Sequence, residues 1–127
     1  MNRKKILIVE DEGIVAIQTK LTLISLGYDV LPIAISGSSA IDLAGQHSPD
    51  LVLMDIKLRG KLDGIDAATS IIGRMSIPVI YVTAHSDEHT LARARATNPA
   101  GILNKPVEEY QLRDALDGVF NPGRQIY

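Results

Sequence analysis

The chain has 127 residues, 46% of them apolar and 22% charged, which fits one globular domain able to bury its own core. It contains no cysteine, which excludes a disulfide framework, a thiolate zinc site and a cysteine nucleophile. Thirteen basic against fifteen acidic residues give a formal charge of −2, and only four tyrosines and one phenylalanine are aromatic, so neither phosphate neutralisation nor base stacking supports direct nucleic-acid binding. No apolar run is long enough to span a bilayer and no signal-peptide pattern opens the chain, so no membrane partner is expected.

Short apolar runs alternate with longer stretches of helical spacing. The runs cover residues 6–9, 28–34, 51–54, 77–82 and 101–103 and read as strands. In the first helical stretch Ile14, Ile17, Leu21 and Ile24 fall at i, i+3, i+7 and i+10, which predicts a core-facing stripe ended by Gly27. In the last, Leu112, Ala115, Leu116 and Val119 share one face. Five strand–helix alternations imply an α/β fold, a parallel sheet covered by helices on both faces. The unbroken apolar run at 6–9 suits a central strand buried on both sides. Pro32 cannot donate to a ladder, so the second strand belongs at an edge. That favours the flavodoxin-like (βα)5 order 2-1-3-4-5, which has strand 2 at the edge. Asn121-Pro122-Gly123 reads as the end of the fold, giving a domain over 1–121 and a tail over 122–127 that could begin a linker.

In open α/β sheets ligands bind outside the carboxyl ends of the strands. Strand 1 runs into Glu10-Asp11-Glu12, strand 3 into Asp55, strand 4 into Thr83-Ala84 and strand 5 into Asn104-Lys105-Pro106. Each acid alone reads as a helix cap, the threonine as a β-former and the lysine as a solvated charge. Together they place Glu10, Asp11 and Asp55 in one crevice, where mutual repulsion calls for a cation. Lys105 supplies one positive charge, and magnesium (or manganese) suits a site of few carboxylates, waters and phosphate oxygens. Asp55 then stands as a nucleophile toward phosphorus, with Glu10 and Asp11 on the metal and Thr83 and Lys105 donating to phosphoryl oxygens.

With these residues the chain resembles the response-regulator receiver domain of two-component signalling, over about residues 4 to 120. The carriers are Ile-Leu-Ile-Val-Glu-Asp-Glu (6–12), Pro-Asp-Leu-Val-Leu-Met-Asp (49–55), Asp-Gly-Ile-Asp-Ala-Ala (63–68), Pro-Val-Ile-Tyr-Val-Thr-Ala-His (78–85) and Asn-Lys-Pro-Val (104–107). The resemblance implies that Asp55 takes a phosphoryl group from a sensor histidine kinase or phosphotransfer protein. It implies that Asp11, Glu10, Asp55 and the backbone carbonyl of Lys57 serve the metal, and that Thr83 and Lys105 meet the phosphoryl group. It further implies a cis Lys105–Pro106 bond, a small residue at Ala84 for access, and a cytoplasmic regulatory domain whose only chemistry is its own phosphorylation and dephosphorylation.

Three features depart from the common pattern. Glu10 stands for the usual aspartate. The loop from Asp55 to Gly64 is one residue longer and carries Lys57, Arg59 and Lys61, which read as an exposed basic loop. Ile102 occupies the strand-5 switch position where many members carry an aromatic ring that moves with the threonine. The helix after strand 4 has Leu91 as its only large aliphatic residue between Asp87 and Thr97, so it is expected to be weakly anchored and to shift on phosphorylation. Two other readings compete with this one. His85, Glu88 and His89 match the H-x-x-E-H pattern of some zinc hydrolases but lack a third ligand. A flavodoxin-like cofactor module would want a phosphate-cradling loop where this chain has three acids. An effector domain in cis and a homodimer both remain open from sequence.

Overall fold

The computed structural model describes residues 3–84 and 87–123. Its elements follow the expected alternation: β1 (Lys5–Val9), α1 (Gly13–Ser25), β2 (Asp29–Val30), α2 (Gly37–His47), β3 (Leu51–Asp55), α3 (Gly64–Met75), β4 (Val79–Thr83), α4 (Glu88–Ala96), β5 (Gly101–Asn104) and α5 (Glu109–Phe120). The strands form one sheet in the order β2-β1-β3-β4-β5, every pairing parallel. This is the flavodoxin-like arrangement, with the edge position for the proline-bearing segment.

Alternation along the buried strands divides the core in two. Leu7, Val9, Val52, Met54, Val79 and Tyr81 face the side covered by α2, α3 and α4. Ile6, Ile8, Leu51, Leu53 and Ile80 face the opposite side with Leu23 of α1 and Leu112 and Leu116 of α5. Ala115 and Val119 complete the expected α5 face as partly buried neighbours. Local chemistry marks the helix ends. Reciprocal capping boxes start α2 at Ser36 and Ser39 and α3 at Asp63 and Asp66. Gly27, at φ +98°, follows the end of α1 in the left-handed conformation expected of it.

Two expectations are corrected. The second strand does not run over 28–34 but pairs only at Asp29–Val30, followed by a single bridge between Val9 and Ala34. Leu31 and Ala34 still donate to the carbonyls of Ile6 and Ile8, while Pro32 between them has no N–H to continue the ladder. The second correction concerns α1. Ile14, Ile17, Leu21 and Ile24 do not face the core; they are 76%, 56%, 61% and 45% exposed, and Ala16 and Leu23 are the buried residues. Helix α1 is apolar on both sides, and its inward side includes threonines. Thr19 and Thr22 return their hydroxyl protons to the carbonyls of Val15 and Gln18, 3.0 Å away in each case, so they turn inward without an orphaned donor.

Helix α4 is as thinly anchored as its sequence suggests, with Ala94 its single fully buried residue. Among the described residues no helix is long and apolar enough to cross a membrane.

Candidate functional site

Three strand ends and one loop build the site. β1 ends at Val9, and the following amide, Glu10 N–H, bonds the carbonyl of Ala34 (2.9 Å), fixing Glu10 above the sheet. β3 carries Asp55 as its last residue, paired in register with Val82 of β4. β4 ends on Thr83, which pairs with Asn104, and Lys105 N–H donates to the Thr83 carbonyl at 2.8 Å. The Lys105–Pro106 bond is cis.

The sequence placed Glu10, Asp11 and Asp55 together, and the structure does the same: one carboxylate oxygen from each lies within 4.8 Å of the other two. Glu10, Asp55 and Thr83 are buried, and Asp11 is half-buried. Lys105 Nζ stands 2.7 Å from Glu10 Oε1 and 3.3 Å from Asp55 Oδ2, a charge-assisted pair of contacts. Glu10 Oε2 also accepts from the Glu12 amide at 3.2 Å. Above this cluster Arg59 reaches from the long loop to within 3.8 Å of Asp11 Oδ2, although its side chain is mostly solvated.

Burial pushes the Asp55 carboxyl up to about 6, with the hydrogen bond and negative charge of Glu10 adding to the rise and Lys105 opposing it. Burial draws Lys105 the other way, but its bond to Glu10 and the two carboxylate charges outweigh this and hold the ammonium above its usual range. One ammonium therefore does not balance the crowded acids. Three hard oxygen donors, one of them pushed toward its neutral form by burial and by its neighbour, make a donor set suited to a small divalent cation.

Two positions that sequence reasoning did not single out lie on elements that build the site. A Cβ at Gly64 would overlap the Asp55 carbonyl oxygen, and Gly64 N–H bonds the Ile56 carbonyl at 2.8 Å. The first residue of α3 thus packs directly on the acceptor backbone, a place that only glycine fits. The second is Tyr81, wholly buried on β4 and paired in register with Ile102. Its hydroxyl lies 2.7 Å from Thr97 Oγ1. The signal for Gly64 lay in the Asp-Gly-Ile-Asp motif, and Tyr81 lay within the Pro-Val-Ile-Tyr-Val-Thr-Ala-His motif without a role assigned to it. A cleft of about 350 Å³ opens beside the site between α1 and α5, with Ile8, Leu53, Val82 and Leu112 along it and Glu10, Asp55 and Lys105 at its end.

The remaining candidates differ from this cluster in burial. Ala84 is exposed at the end of β4, and Ile102 is half-buried against the α2–α4 side of the core. Lys57 is exposed. Of the zinc reading, His85 lies outside the described residues, and Glu88 and His89 are exposed on the first turn of α4. Among the described residues Glu10, Asp11 and Asp55 form the one group able to gather on a metal ion.

A doubly wound parallel sheet with an acidic crevice at its switch point and a lysine closing that crevice defines a class. The family profile of the response regulator receiver domain matches residues 6–117, and the chain belongs to this family. Among individual relatives, it is 34% identical over 123 residues to the transcriptional regulatory protein PdtaR of Mycobacterium tuberculosis, covering 97% of this chain and 60% of PdtaR. It is 38% identical over 122 residues to the positive alginate biosynthesis regulatory protein of Pseudomonas aeruginosa, covering 94% of this chain and 48% of that protein. The chain thus spans about half to three-fifths of these relatives. Among solved structures, the receiver domain of a modulated diguanylate cyclase from Desulfovibrio desulfuricans superposes with a TM-score of 0.90 at 36% identity, covering 95% of this chain and 96% of that one. The receiver domain of a Pseudomonas aeruginosa sensor histidine kinase, solved with magnesium coordinated in its active-site cleft, gives 0.83 at 27% identity, covering 93% and 98%.

Proposed function

We propose that this domain is a phosphoacceptor in which Asp55 takes a phosphoryl group from a phosphohistidine on a sensor histidine kinase or phosphotransfer protein. A carboxylate oxygen of Asp55 forms the new O–P bond while the N–P bond of the donor breaks and its electron pair returns to the imidazole nitrogen. The observation that carries this reading is the crowding of Glu10, Asp11 and Asp55 around one point, with Lys105 already spanning Glu10 and Asp55.

In this reading Glu10, Asp11, Asp55 and the backbone carbonyl of Lys57 hold magnesium or manganese, which when bound offsets negative charge between acceptor and donor. Lys105 swings from its carboxylate partners toward the phosphoryl oxygens, and Thr83, buried at the end of β4, donates to another of them. The added charge shifts the surface around α4 and β5. Its thin apolar anchoring supports α4 as the mobile element. The exposed aliphatic stripe Ile14, Ile17, Leu21 and Ile24 on α1, whose first turn follows directly on Glu10 and Asp11, supports a protein as phosphodonor. We assign residues 1–121 to the receiver and 122–127 to a short tail, and place the domain in the cytoplasm as a regulatory module rather than an enzyme acting on other substrates.

Labelling by a small acyl-phosphate donor with magnesium tests the reading. The wild type is expected to label and Asp55→Asn not to; equal labelling of the two would remove Asp55 from its role.

A further inference from the structure

Helix α4 packs on the same face of the sheet as α2 and α3, and polar contacts hold it where apolar ones are few. Toward α3, Arg93 Nη1 donates to Asp63 Oδ2 at 3.1 Å and Nη2 to Asp66 Oδ1 at 3.4 Å. These two aspartates are the capping box of α3, in which Asp66 N–H donates to Asp63 Oδ1 at 2.8 Å and Asp63 N–H to Asp66 Oδ2 at 3.3 Å. Arg93 therefore takes the carboxylate oxygens that the cap leaves over. The amide of Asp66 and the guanidinium of Arg93 outweigh the effect of burial and hold the Asp63 carboxyl below its usual range. Toward β4, Thr97 Oγ1 donates to the Ala94 carbonyl at 2.6 Å, so its single proton is used and the Tyr81 hydroxyl must donate to it.

Both fastenings lead back to the acceptor. Asp63 immediately precedes Gly64, which packs on the Asp55 carbonyl. Tyr81 lies two residues before Thr83 on the same face of β4. The neighbouring position on β5, Ile102, carries neither ring nor hydroxyl, so no aromatic on that strand can link Thr83 to the helix.

We propose that Arg93 is a positioning residue that latches α4 to the α3 capping box while Asp55 is unmodified, with the Tyr81–Thr97 bond as the pivot at the helix end. The proposal rests on the phosphoacceptor reading of Asp55. Phosphorylation moves α4 against this latch, so by linkage anything that opens the latch favours the phosphorylated form. The fork of Arg93 meets two partly exposed carboxylates, so its effect is modest, about two- to fivefold in the switching equilibrium.

The test compares wild type, Arg93→Ala, Arg93→Lys, Asp63→Asn and the double variant Arg93→Ala/Asp63→Asn. Asparagine keeps the helix cap while removing the nearer of the two charges that Arg93 meets. Amide exchange over residues 88–97 is measured in the unmodified proteins, and the phosphorylated fraction at steady state is measured with magnesium and a small acyl phosphate. Arg93→Ala and Asp63→Asn are expected to speed exchange and to raise the phosphorylated fraction at limiting donor, Arg93→Lys less so. The double variant is expected to match Arg93→Ala, because Arg93→Ala already removes the contact with Asp63 as well as the one with Asp66. A wild type that labels while Arg93→Ala leaves both readouts unchanged overturns the latch alone, as does full additivity in the double variant. A wild type that never labels overturns the phosphoacceptor reading and the coupling with it, whatever the exchange rates.

Discussion

Lys105 lies nearer to Glu10 than to Asp55, 2.7 Å against 3.3 Å, so the lysine that closes the site in the unmodified chain is held chiefly by a metal-ligand candidate rather than by the acceptor. Its shorter bond must be given up before the ammonium can follow a phosphoryl group on Asp55. Replacing Lys105 by methionine keeps the length of the stem but removes the charge. The Asp55 carboxyl is then expected to titrate above its value of about 6, since Lys105 is what holds it down. Phosphorylation is expected to slow at least tenfold, towards the roughly hundredfold typical of losing one donor to a developing anion. Labelling kinetics check this, and wild-type rates in Lys105→Met would show that the ammonium does not touch the transferred group.

The raised Asp55 carboxyl has a consequence for stability with a definite sign. The folded chain binds this proton more tightly than the unfolded chain does, so the metal-free fold loses stability as pH rises from 3.8 toward about 6. The loss persists at neutral pH, where Asp55 is ionised beside Glu10. Asp55→Asn is therefore expected to stabilise the metal-free protein at pH 7 by on the order of 1 kcal/mol, with the advantage fading below pH 4. Thermal melts of both proteins across pH 3.5–7.5 measure it. A destabilised Asp55→Asn at pH 7 would mean that Lys105 compensates the acids more fully than the geometry implies.

Gly64→Ala puts a methyl group against the Asp55 carbonyl oxygen, so α3 or the end of β3 must move. A loss of about 2–3 kcal/mol is expected, the range for overpacking against backbone. Labelling of the folded fraction should fall as well, because the acceptor is displaced. A variant with wild-type melting and labelling would show that the α3 start is softer than its contacts suggest.

The stripe on α1 separates protein donors from small ones. Leu21→Glu places a charge among Ile14, Ile17 and Ile24 without touching the core, since Leu21 is 61% exposed. Labelling by a small acyl phosphate should be unchanged within about twofold, the scale of a neutral surface substitution. Transfer from a phosphorylated histidine kinase should fall tenfold or more, the scale for losing a central apolar contact. Equal loss with both donors would indicate damage to the fold, and no loss with either would move the docking surface elsewhere.

Most of the fold and the polar cluster are legible in the sequence. The strand ends carried Glu10, Asp11, Asp55, Thr83 and Lys105, and Pro32 placed its segment at the edge, because proline's missing donor and the position of ligands in parallel sheets are local rules with one outcome. The face of α1 was misread because periodicity reports that a stripe exists, not which of two stripes meets the sheet. Thr19 and Thr22 could turn toward the cleft beside Ala16 only because their hydroxyls bond carbonyls within the helix. The Arg93 contacts with Asp63 and Asp66 were invisible for another reason. They join residues 27 to 30 positions apart, across two helices whose relative placement no local pattern encodes.

The central claim, that Asp55 carries the phosphoryl group, is tested most directly by trapping the product and finding its position. The protein is labelled with magnesium and a small acyl phosphate, reduced with borohydride to convert an aspartyl phosphate to homoserine, and mapped by peptide mass spectrometry. Homoserine at position 55, absent when magnesium is chelated, is the expected result. Homoserine at position 11 or 66, or 5-hydroxynorvaline at position 10, or unmodified Asp55 in protein that carries phosphate elsewhere, would contradict the account.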